Sequence, residues 1–109
     1  MANSCIVVAN EPRAYREVLA AALHELRPHL EVICIEPDDL DGTVARGRPR
    51  LVLCSQLTEG LRTGSRAWVV LYPGGEARAM INVAGQCVTT GDIGFAALTA
   101  LIDQTTRPG

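Results

Sequence analysis

Apolar residues fall along this chain in short solid runs separated by stretches with helical spacing. Cys5 to Ala9 (CIVVA) is unbroken and rich in β-branched residues, the pattern of a strand covered on both faces. Asn10-Glu11-Pro12 ends it, and Pro12 suits the first turn of a helix, where its missing N–H costs nothing. Tyr15, Val18, Leu19, Ala22, Leu23 and Leu26 then recur at helical spacing and predict one broad apolar face, closed by Pro28. Glu31 to Ile35 predicts a second strand. Pro37-Asp38-Asp39 opens a short helix bearing Leu40, Val44 and Ala45, which Gly47 and Pro49 close. Leu51 to Cys54 predicts a third strand, solidly apolar and therefore central in a sheet, and Ala67 to Tyr72 (AWVVLY) a fourth that Pro73-Gly74-Gly75 breaks. Glu76 to Ala84 has the spacing of a helix, with Ala77, Met80, Ile81 and Ala84, followed by Gly85. Gln86 to Thr89 reads as a short fifth strand. Asp92 is placed to cap a last helix carrying Ile93, Ala96, Ala97, Leu101 and Ile102.

Strands alternating with helices predict βαβ units with right-handed crossovers. The expected fold is α/β: a three-layer sandwich around a five-stranded parallel sheet, flavodoxin-like in order, in one domain spanning residues 1–109. One crossover is defective. Between Ser55 and Ala67 only Leu57 and Leu61 could form an apolar stripe, so the third crossover helix is expected to be shortened or missing.

Composition narrows the chemistry more than the fold. The chain has 109 residues and a net charge of −2, which removes the basic footprint of a nucleic-acid binder. All 10 of its basic residues are arginine, so Schiff-base chemistry and the P-loop lysine are excluded. Cys5, Cys34, Cys54 and Cys87 lie far apart in or beside apolar runs, with no CxxC pair. They read as free thiols rather than zinc ligands or disulfide partners, and no metal or cofactor is expected. The opening residues MANSC lack the basic region of a secretion signal, and no apolar run approaches the roughly 18 residues that span a bilayer. The expectation is a cytoplasmic protein without membrane contact.

Taken together, VVANEPRAYREVLAAAL, RGRPRLVLCSQL and EARAMINVAGQ resemble the response-regulator receiver domain, particularly receivers of the NarL/FixJ type. They are similar to that family's first strand, acidic pair and first helix, to its approach to the phosphoacceptor, and to its fourth helix. The resemblance implies a magnesium site built from two acidic residues and an acceptor aspartate, a hydroxyl residue after strand four and a lysine after strand five. The positions here hold Asn10 and Glu11, then Ser55, Tyr72, and Thr89 or Thr90. One carboxylate of three survives, and the nucleophile and lysine are gone. A serine without an adjacent base is a poor replacement, so aspartyl phosphorylation is not expected.

The function expected is therefore a non-enzymatic pseudo-receiver, a regulatory or protein-interaction module in signalling. The last helix is more apolar than one face requires, and receivers of this type pair through the side formed by helix four, strand five and helix five. A homodimer or a protein partner is expected there, involving Met80, Phe95, Leu98 and Ile102. The alternative is a small-ligand sensor using Asn10, Glu11, Ser55, Tyr72 and Thr90, since ligands gather at the carboxyl ends of parallel strands.

Other features have plain readings. Cys54 is expected to be buried and inert. Arg46, Arg48 and Arg50 suit a solvated loop, and Pro73-Gly74-Gly75 a turn. Trp68 suits packing rather than base stacking. His24 and His29 have no visible nucleophile to serve. The closing Arg107-Pro108-Gly109 suits a tail or the start of a linker.

Overall fold

The computed structural model describes residues 5–106; the tail at 107–109 lies outside them. Four strands appear where the sequence pattern predicts them: β1 (Cys5–Ala9), β2 (Glu31–Cys34), β3 (Leu51–Cys54) and β4 (Ala67–Leu71). They pair in parallel in the order β2-β1-β3-β4. Helices α1 (Arg13–Leu26) and α2 (Leu40–Gly47) provide the first two crossovers, α2 following a single 3-10 turn at Pro37–Asp39. The third crossover is the six-residue helix α3 (Glu59–Gly64), capped by the Thr58 hydroxyl, which accepts from the Leu61 N–H. It is short, as the sparse apolar stripe requires.

Beyond β4 the chain departs from expectation. Residues predicted as a fourth helix form β5 (Arg78–Val83), which turns back through Ala84 and Gly85 into β6 (Gln86–Gly91). Both strands run antiparallel, so the sheet is mixed and six-stranded, in the order β2-β1-β3-β4-β5-β6. The five-stranded parallel, flavodoxin-like sheet is thus corrected to a six-stranded mixed sheet of an α/β sandwich, with a β-hairpin at one edge. The reason is local. Ala84 and Gly85 take φ of 53° and 87°, the double left-handed pattern of a two-residue hairpin turn, where a helix followed by a terminal glycine was predicted.

Strand alternation sends Ile6, Val8, Leu51, Leu53, Val69 and Ala79 to one face of the sheet. There they are covered by α1 and by α4 (Phe95–Thr106) through Leu19, Leu23, Leu98 and Ile102. Val7, Ala9, Val52, Cys54, Trp68 and Val70 face the other side, under Leu40 and Val44 of α2 and Leu61 of α3. The central strands are buried on both sides, and every residue of β6 is exposed. No helix of the described residues is long and apolar enough to cross a membrane.

Helix α1 explains an exposed surface. Its buried stripe is Arg16, Leu19 and Leu23, rotated from the one predicted, and Val18 and Leu26 are left 68% and 49% exposed. Arg16 is tolerated inside because its guanidinium donates to the Glu36 carboxylate at 3.2 Å and to the Asn10 carbonyl at 3.4 Å. At the other end of α1, Arg27 meets Asp103 of α4 through two 2.7 Å hydrogen bonds.

Candidate functional site

The carboxyl ends of β1, β3 and β4 open onto one hollow. Glu11, Ser55 and Tyr72 line it together with Pro12, Gln56 and Gly74. Two other residues expected there do not line it. Thr90 sits on exposed β6, opposite Ala79. Asn10 is fully buried, and neither its amide oxygen nor its amide nitrogen has a hydrogen-bond partner.

Within the hollow the polar groups hold the scaffold. The Glu11 backbone N–H donates to Ser55 Oγ at 2.8 Å, and the hydroxyl faces the Glu11 carbonyl at 3.5 Å. That ties the loop after β1 to the end of β3. The Ser55 hydroxyl is committed to the backbone, and among the described residues no side-chain base is hydrogen-bonded to it to raise its nucleophilicity. Cys54, one residue earlier, is buried, and that burial pushes its thiol up to about 12. It is held protonated and inert. The magnesium site implied by the resemblance is not matched by these side chains. Glu11 is the one carboxylate at the three positions, Ser55 is engaged and Asn10 does not face the hollow, whereas Mg²⁺ needs several oxygen ligands in octahedral array. Among the described residues no group of three His, Cys, Asp or Glu side chains is placed to hold a metal ion.

Tyr72 joins this hollow to a second, apolar cleft. It leaves β4 with φ 54° and ψ 51°, a left-handed conformation that costs a non-glycine residue about 1–2 kcal/mol. Its ring packs edge-on against Tyr15, centroids 6.0 Å apart and planes at 74°. Its hydroxyl donates to Asp92 Oδ1 at 2.8 Å. That hydrogen bond raises the Tyr72 phenol above its usual range, and burial does the same for Tyr15. Asp92, predicted as a helix cap, is used here instead, and α4 starts later, with the Leu98 N–H bonded to the Gly94 carbonyl.

The cleft occupies about 290 Å³ between α1 and the start of α4. Tyr15, Val18 and Ala22 form one wall, Phe95 and Leu98 the other, and Leu71 the floor. Phe95 is 42% exposed at its mouth. The interface predicted from Met80, Phe95, Leu98 and Ile102 does not assemble as one face. Leu98 and Ile102 are buried against the sheet, while Met80 projects to the opposite side, against the Trp68 cluster. Phe95 alone is available, and its neighbours are Val18 and Tyr15. The helical spacing predicts Val18 on the buried stripe, whereas it stands exposed in the cleft wall. The available signal was that α1 has a wider apolar arc than one sheet face covers.

No family model, curated protein or solved structure matches this chain.

Proposed function

We propose that this chain is a non-enzymatic, receiver-like regulatory module that acts by binding another protein, without taking up phosphate. The observation that supports this is the apolar cleft between α1 and α4, where Val18 and Phe95 stand exposed beside Tyr15 and Tyr72. Large apolar side chains grouped on a surface mark a contact site. An apolar trough walled by two helices suits an amphipathic helix from a partner, anchored at helical spacing. The predicted helix-four surface is replaced in this reading by the α1–α4 cleft.

A small-ligand sensor is the second reading. It is favoured by Glu11, Ser55 and Tyr72 converging on one hollow.

The test replaces Val18 and Phe95 by glutamate together, both being exposed enough to leave the core intact. The partner held by the wild-type chain in its own cells is expected to be lost from the variant. An unchanged set of partners contradicts the protein-binding reading. Loss of binding on Glu11→Gln and Tyr72→Phe, with Val18 and Phe95 dispensable, favours the sensor.

A further inference from the structure

The sheet ends on two edges that differ in kind. The β2 edge is four residues long, bears Glu31 and runs into Glu36-Pro37, devices that discourage pairing with another strand. The β6 edge has none of these. Gln86-Cys87-Val88-Thr89-Thr90-Gly91 is six residues long, carries no charge and no proline, and is exposed throughout. It is rich in β-branched residues suited to a paired strand.

The register identifies which backbone groups face outward. The Tyr72 N–H donates to the Arg78 carbonyl and the Ala84 N–H to the Arg66 carbonyl, so even-numbered β5 residues bond towards β4. Ala79, Ile81 and Val83 then bond towards β6, meeting Thr90, Val88 and Gln86. Cys87, Thr89 and Gly91 therefore direct their N–H and C=O groups away from the sheet. A second, antiparallel copy of the strand with its twofold axis at Thr89 places Cys87 opposite the other copy's Gly91, Thr89 opposite Thr89, and Gly91 opposite Cys87. These are three hydrogen-bonded pairs of two bonds each, six bonds across one edge. Val88 then lies opposite Thr90, a β-branched pair. Centring the axis on Val88 leaves only two such pairs within the strand.

From this self-complementary edge we infer that β6 is a dimerisation strand whose occupant is a second copy of this chain, forming one continuous twelve-stranded sheet. Because β2 is guarded, the pairing closes at two copies and does not extend into a filament. The inference rests on the chain being an interaction module but uses a surface separate from the α1–α4 cleft, so each can fail alone.

The experiment measures the dissociation constant of the purified full chain by sedimentation. Wild type is expected to dimerise. Thr89→Lys sets two like charges face to face on the axis and should weaken the dimer about fivefold or more. Thr89→Glu should do the same, and an equimolar mixture of the two variants should restore wild-type affinity. With Cys34 and Cys87 replaced by serine, Thr89→Cys should link the copies through a disulfide, since directly hydrogen-bonded pairs bring Cα atoms to about 5.5 Å. Thr90→Cys in the same background should not. A monomeric wild type, or a dimer indifferent to both charged variants, overturns the inference. Either result leaves the Val18 and Phe95 test untouched.

Discussion

Replacing Ala84 by asparagine should stabilise this protein, and the sign of that change separates the hairpin from the helix that the sequence spacing suggests. Ala84 sits at φ 53°, where a Cβ crowds the following carbonyl at a cost of about 1–2 kcal/mol. Asparagine tolerates this region much better than alanine and is favoured at the first position of such turns. Ala84 is exposed and nothing else is disturbed. The expected gain is about 0.5–1 kcal/mol. With a urea slope of roughly 1.5 kcal/mol/M for a chain of this size, the midpoint should rise by about 0.5 M. Trp68, buried on β4 beside β5, reports unfolding through its fluorescence. A helix over the same residues predicts the reverse, because asparagine is about 0.6 kcal/mol worse than alanine inside a helix. A midpoint lowered by about 0.4 M would refute the hairpin.

Other outcomes follow from the core and the charges. Leu98→Ala should cost about 3 kcal/mol in urea unfolding and Phe95→Ala less than about 1, because Leu98 is buried against the sheet and Phe95 is at the cleft mouth. A double-mutant cycle on Arg27 and Asp103 should give a coupling of about 0.5–1 kcal/mol that weakens with salt, since the pair is bidentate but partly exposed. The Cys54 thiol, raised by burial from 9.0 to about 12, keeps its proton in the folded chain after the unfolded chain has lost its own. Stability is therefore full below pH 9 and falls as pH rises from 9 towards 12, by up to about 4 kcal/mol. Cys54→Ala should flatten that alkaline fall in a pH series of urea midpoints, and an unchanged slope would show that the thiol titrates normally.

The first two-thirds of the fold was legible because solid apolar runs such as CIVVA and LVLC need cover on both faces, which a parallel central sheet supplies. The stretch from Glu76 to Ala84 was not, although the strand starting at Gln86 and the last helix were. In Glu76 to Ala84 the spacing of Ala77, Met80, Ile81 and Ala84 fits a helix, while the structure uses Arg78–Val83 as a strand with Ala79 and Ile81 on one face and Met80 on the other. Two extended runs separated by just two residues would have signalled a hairpin had the turn been Asn-Gly. Alanine at the first position hides it. Glu11, Ser55 and Tyr72 come together at one hollow because the strand ends fix them, whereas Thr90 lies on the hairpin. Arg16 could not be anticipated as buried, because its tolerance depends on Glu36, twenty residues away.

The central proposal, a module that binds protein through the α1–α4 cleft, is tested most directly by native mass spectrometry of the chain released gently from its own cells. Wild type should carry the mass of a second, different protein, and the Val18→Glu, Phe95→Glu variant should lack it. A wild-type chain bearing only small-molecule mass, or a partner retained by the variant, would contradict the proposal.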